Sequence, residues 1–245
     1  MDFVTVSTGL ILPYWMGLPI RYIQKYIDFG YSLGWQTLLN DLPYIQIYSM
    51  IISLIIAALI FFVEKKCNMN MILRTLITKE SKINFIKAIT VLIMNSAIYF
   101  SIVLIYSALI WSVFGLEGWN MKIQTSYLFW LSPLNINYFQ AYMVNVLIGY
   151  LAVLVVTFFT SLLVKINEKK YIGELLSILF IFIPFMFNNY SFFCFFPSNV
   201  IQLSRNILNF SWINGINSIY LEFIALLCVA ILLFFLVCRK NRKEI

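Results

Sequence analysis

Residues that ordinarily carry chemistry are scarce in this chain, and which ones are missing narrows what it can do. There is no histidine among the 245 residues, which removes the commonest general base and a common metal ligand. The four cysteines, Cys67, Cys194, Cys228 and Cys238, form no CxxC pair and no disulfide framework, and read as small apolar fillers. No GxxxxGK[ST] phosphate loop occurs, so the sequence offers no seat for a nucleotide. Membrane-embedded enzymes need a histidine, paired acids or a Ser–Lys set inside their spans. Here a single acid, Glu222, stands just inside a long apolar run, near its end. Its plain reading is an interfacial carboxylate that reaches water; Arg205 as an ion-pair partner, or a cationic cargo, is the functional one. No catalytic residue, metal centre or cofactor is expected.

One pattern does point to binding. Met69, Ile72, Leu73, Leu76 and Ile77 recur at the i, i+3, i+4, i+7, i+8 spacing of a helix face, with Arg74, Lys79, Glu80 and Lys82 turned elsewhere. This predicts an amphipathic helix over residues 69–87. Two readings stand on the pattern alone: a helix that packs on lipid headgroups, or a docking element offered to a partner.

The elements that position these residues follow from composition. The chain is 62% apolar and only 11% charged, against about 25% charged in ordinary soluble domains. Folding in water would leave far more apolar surface than one core hides, so lipid is the solvent that fits. The start, Met1-Asp2-Phe3, lacks the basic segment of a secretory signal. The expected fold is an all-α polytopic membrane protein with about six spans, at 3–20, 44–63, 88–114, 141–164, 175–187 and 218–237, forming one transmembrane domain over 1–245. Five spans remain if Phe3–Ile20, broken by Gly9, Pro13, Gly17 and Pro19, lies on the outer face instead. No charge occurs from Leu175 to Ser204, which is too long for one crossing. Asn188, Asn189, Pro197, Ser198 and Asn199 interrupt it, so a re-entrant outer hairpin is expected over 188–215, before the last span.

Orientation follows from the cations. Of 17 Lys and Arg, thirteen fall in three stretches on one side. Lys65, Lys66, Arg74, Lys79, Lys82 and Lys87 lie in the first, Lys165, Lys169 and Lys170 in the second, and Arg239, Lys240, Arg242 and Lys243 in the tail. Only Arg21, Lys25, Lys122 and Arg205 lie opposite. The positive-inside rule puts the first group, and the C-terminus, in the cytoplasm. The net charge of +7 is thus a topology signal, and nucleic acid is not an expected partner. Trp35, Trp119, Trp130 and Trp212 fall in the outer connections, where an aromatic belt is expected.

The stretch from Glu64 through Leu73, Thr75, Leu76, Lys82, Ile83 to Lys87 resembles the cytoplasmic loop of type-2 ATP-binding-cassette (ABC) exporter permeases. The Glu64-Lys65-Lys66-x-Asn68 run, with Trp35 and Pro43 upstream, is similar to the bacteriocin- and lantibiotic-immunity and bacitracin-export branch. Ile77 stands where that family has proline. The resemblance implies that Met69, Ile72, Leu73, Arg74, Leu76, Ile77, Lys79 and Lys82 form a coupling helix docked on a cytoplasmic ATP-binding subunit, itself a dimer. It also implies a second permease chain, identical or related, and a membrane-active peptide or amphipathic drug as cargo. A non-transporting membrane scaffold is the alternative on the residues alone.

Overall fold

In the computed structural model, the described residues are 32–66, 80–126, 129, 135–167, 170–186, 196–201, 212–213 and 216–239. They form α1 (Leu33–Lys66), α2 (Glu80–Phe114), α3 (Tyr138–Ile166), α4 (Lys170–Met186), the single turn α5 (Pro197–Val200) and α6 (Ser218–Cys238). Beside these stand a 3-10 turn at Ile123–Thr125 and a two-residue antiparallel ladder, β1 (Trp212–Ile213) with β2 (Ile216–Asn217). Four helices, α1, α2, α3 and α6, are long and apolar enough to cross a membrane. The segment Phe3–Ile20 lies outside the described residues.

Two helices overrun the spans expected from hydropathy, α2 where no breaker intervenes and α1 in spite of Gly34 and Pro43. Hydrocarbon needs only about 20 apolar residues, whereas α2 has 35 and α1 has 34. At 1.5 Å rise per residue each is roughly 50 Å long, so its ends stand in the interface or beyond. From Glu80 to Ala88 there is no Gly or Pro, and the second half of the stretch expected as a surface helix forms the first turns of α2. Pro43 lies inside α1; it removes one backbone donor, a loss that spanning helices accommodate.

Side-chain pairings fix direction and depth. Trp35 meets Trp111 with ring centroids 5.4 Å apart and Tyr142 at 6.0 Å. Further along, Gln46 reaches Tyr99 and Asn145, and Ser53 pairs with Asn95, which also reaches Thr157. Ala57, Ala58, Ala88, Val164 and Val237 close the far end. As numbers rise along α1 they fall along α2 and rise along α3, so α1 and α2 are antiparallel and α3 runs with α1. Phe158 against Phe234, at 5.4 Å, sets α6 parallel to α3. Phe159 stacked on Phe180 at 4.3 Å sets α4 antiparallel to it. Gly173 makes that last hairpin tight, since a Cβ there would lie 3.0 Å from Val164 Cγ2.

One end of the bundle therefore carries the α1–α2 connection, the α3–α4 connection and the end of α6. The opposite end carries the start of α1, the end of α2, the start of α3, the end of α4 and the start of α6. α3 is the central helix, buried along most of its length, while α2 and α6 turn most of theirs outward. Leu104, Ile105, Leu109 and Val113 on α2, and Leu232 and Phe235 on α6, form the apolar outer surface. Trp35, expected in an interfacial belt, is buried instead among Trp111, Phe139 and Tyr142, and its indole N–H donates to Leu116 O at 3.1 Å. Trp119 is exposed.

Candidate functional site

α1, α2 and α3 are apolar on nearly every face, yet each carries a line of polar residues that the packing turns inward. On α1 they are Gln46, Ser49 and Ser53, on α2 Asn84, Asn95, Tyr99 and Ser107, and on α3 Tyr142, Asn145, Thr157, Thr160 and Ser161. Their spacing, mostly three and four residues or multiples of it, keeps each set on one helical face. The three faces meet along one seam.

The seam has layers. At one level Tyr99 Oη donates to Val146 O at 2.7 Å. Gln46 Nε2 donates to Tyr99 Oη at 3.3 Å and to Asn145 O at 3.0 Å. Room for this amide comes from Gly149, where any Cβ would run into the Gln46 side chain and lie 2.7 Å from Tyr99 Oη. Toward the basic end, Asn95 Nδ2 donates to Ser53 O at 3.3 Å and to Thr157 Oγ1 at 3.1 Å, while Thr157 Oγ1 donates to Val153 O at 2.7 Å. Toward the aromatic end, Ser107 and Tyr142 share a hydrogen bond of 2.8 Å, and Tyr106 Oη donates to Asp41 Oδ2 at 2.9 Å. Ser96 and Tyr150 add another at 2.7 Å.

In lipid the hydrophobic effect does not hold helices together, and small residues and interhelical hydrogen bonds do the work. Each such bond contributes on average about 0.6 kcal/mol and at most about 1.7 kcal/mol, so the layers together fix the register of three helices. The groups are amides and hydroxyls. They bind by hydrogen bonding, and offer neither a nucleophile–base pair nor a ligand set. Among the described residues, no group of three His, Cys, Asp or Glu could hold a metal ion.

The residues singled out from sequence fall elsewhere. Met69, Ile72, Leu73, Arg74, Leu76, Ile77 and Lys79 lie outside the described residues, as do Arg205 and most of the 188–215 hairpin. Lys82 is exposed on the first turn of α2. Glu222 is buried near the start of α6, at 6% exposure, rather than set on the surface. The seam itself escaped the sequence reading, which summed hydropathy over whole segments. The signal was present in the recurrence of Gln46, Ser49 and Ser53, and of Asn95 and Tyr99, at helical spacing inside apolar runs.

The basic end has its own fastening. Lys165 Nζ, at the end of α3, donates to Val237 O in the last turn of α6 at 2.8 Å and also to Arg239 O just past the helix end. A cation there complements the negative end of the helix dipole. Lys87 sits over the Phe61 ring, 5.8 Å from its centroid. At the other end Asn199 Nδ2 donates to Pro184 O at 3.3 Å, so the buried turn Pro197–Val200 is folded back onto the end of α4.

No family model matches the chain, and no curated protein or solved structure matches it.

Proposed function

We propose that this chain is the membrane-spanning permease subunit of an ABC exporter, driven by ATP that a separate cytoplasmic subunit hydrolyses. The cargo is a membrane-active peptide or amphipathic drug, expelled from the bilayer. The observation that carries the reading is the placement of described cations at one end of the bundle. Lys82 and Lys87 near the start of α2, Lys165 at the end of α3 and Arg239 just past α6 share that end. Such a face suits a cytoplasmic partner, and the resemblance of the 64–87 stretch to exporter coupling loops supplies the partner's class. Two copies, or this chain and a related one, line the path. The chain lies in the plasma membrane with its C-terminus inside. Phe3–Ile20 makes a sixth span, and α4 makes the fifth with the 188–215 hairpin dipping from the outer face. α4 has 17 residues, roughly 25 Å of helix, and the return of Asn199 to Pro184 supports a hairpin that covers its end. Closure of the ATPase pair would rock the spans as rigid bodies.

The hydrogen-bonded seam favours a second reading, a non-transporting membrane scaffold, because relative motion of α1, α2 and α3 would break it. One experiment separates the two. An exporter subunit co-purifies with a P-loop ATPase and changes its turnover; a scaffold leaves ATP turnover unmoved. Leu73→Asp with Leu76→Asp abolishes that co-purification while leaving membrane insertion intact. Retention of the ATPase by this double variant overturns the docking assignment. Labelling of Cys67 from outside intact cells by an impermeant thiol reagent overturns the orientation.

A further inference from the structure

We propose that the polar seam binds water at two separate levels inside the bundle, one at Gln46 and Asn145 and one at Ser53 and Asn95. The inference comes from donor and acceptor accounting and does not depend on the exporter reading.

At the first level the only proton of the Tyr99 hydroxyl goes to Val146 O. The Tyr99 oxygen is left as an acceptor, so Gln46 must turn its NH2 toward it, and the same NH2 serves Asn145 O. This fixes the orientation of the amide and leaves Gln46 Oε1 buried with no partner among the described residues. Asn145 Nδ2, on the residue whose backbone accepts from Gln46, is also buried and unpartnered. One acceptor and one donor are thus left over at the same layer.

The second level repeats the logic. Thr157 commits its proton to Val153 O, which obliges Asn95 to present NH2 to Thr157 Oγ1 and Ser53 O. Asn95 Oδ1 and Ser53 Oγ remain, both buried and unpartnered. Again there is an acceptor beside a donor. Gln46, Ser53 and Asn95 show no exposed surface and Asn145 only 1%, so bulk water does not satisfy them.

Buried polar groups in native proteins find protein or ordered-water partners, and in hydrocarbon leaving them unsatisfied is at its most costly. Water is the smallest molecule that donates to an amide oxygen while accepting from an N–H or O–H.

The full chain, ¹⁵N-labelled and reconstituted in phosphatidylcholine–phosphatidylglycerol vesicles, provides the test by water-edited solid-state NMR. Side-chain amide signals are assigned by their loss in Gln46→Leu, Asn95→Leu and Asn145→Leu. The expected result is rapid transfer of water magnetisation to the Gln46, Asn95 and Asn145 NH2 signals. The backbone amides of Ala152 and Val153, buried between the layers, receive it slowly. Ser53→Ala is expected to slow transfer to Asn95 by about twofold or more, through loss of one of its water's partners, with Gln46 and Asn145 unchanged. Side-chain transfer as slow as at Ala152 shows a dry seam and overturns the proposal. So does a Ser53→Ala effect that is absent or equal at both levels. Where a Leu variant does not fold, its signal is assigned from through-space contacts to neighbouring backbone signals in the unsubstituted chain, so the first measurement does not depend on the variants.

Discussion

Two flanks of α3 are held by different forces. Toward α1 and α2 the mid-depth contacts are hydrogen bonds from side chains to carbonyls and hydroxyls, centred on Gln46, Asn95 and Tyr99. Toward α4 and α6 the mid-depth contacts are apolar and aromatic, through Leu226, Ala230, Leu233, Phe234 and Phe180. Hydrogen bonds between helices are directional and tolerate little sliding. Apolar surfaces in lipid exchange one set of dispersion contacts for another at small cost. The molecule thus divides at mid-depth into a registered unit, α1–α2–α3, and two helices packed on it through apolar surfaces, α6 being pinned in addition at its end by Lys165. Any rigid-body movement between helices is expected along the second boundary.

The comparison breaks most visibly at Gly149. Gly149→Val forces Gln46 out of its place and overpacks the centre of the seam, at a cost of about 3 kcal/mol or more. The expected outcome is a large fall in thermal midpoint in detergent, or failure to accumulate in the membrane. A stable Gly149→Val protein would show that the seam does not set the fold. Asn95→Leu is the next largest. It deletes two interhelical bonds, about 1–2 kcal/mol, and a thermal-unfolding series should show it lower in midpoint than Phe234→Leu on the other flank. The reverse order would erase the distinction between the flanks.

Lys165→Met sharpens the picture at the basic end. It removes the ammonium that holds Val237 O and Arg239 O, and because this site is partly open the loss is discounted to about 1 kcal/mol. The expected signature is local: faster hydrogen exchange at the last turn of α6 with little change in α1. Ser96→Ala is the smallest. It removes the hydroxyl that pairs with Tyr150 at the half-buried edge of the seam, worth about 0.5 kcal/mol. A chemical-denaturation midpoint shift larger than that of Asn95→Leu would put the stabilising polar contacts at the edge of the seam instead of its centre.

How much of this was readable beforehand varies with the kind of quantity. The apolar runs locate the four long apolar helices to within a few turns. Hydropathy does not mark helix ends where it falls with no breaker, as at Glu80–Lys87, or where a proline is carried inside the helix, as at Pro43. Trp35 was misplaced for a related reason. A tryptophan near an interface reads as a belt residue until Trp111, Phe139 and Tyr142 are seen to enclose it.

Solvent preference is a sum. Each apolar side chain contributes its transfer free energy to lipid whatever its neighbours are, so a stretch such as Ser218–Val237 declares itself without any tertiary knowledge. Partnership is not a sum. A helix apolar on all sides has no stripe to say which face turns inward. That choice fell to a few amide and hydroxyl atoms and to one missing Cβ at Gly149, whose meeting with Gln46 and Tyr99 joins positions about a hundred residues apart. Such a coincidence exists only once three helices are packed together, because a hydrogen bond is satisfied by geometry and not by composition.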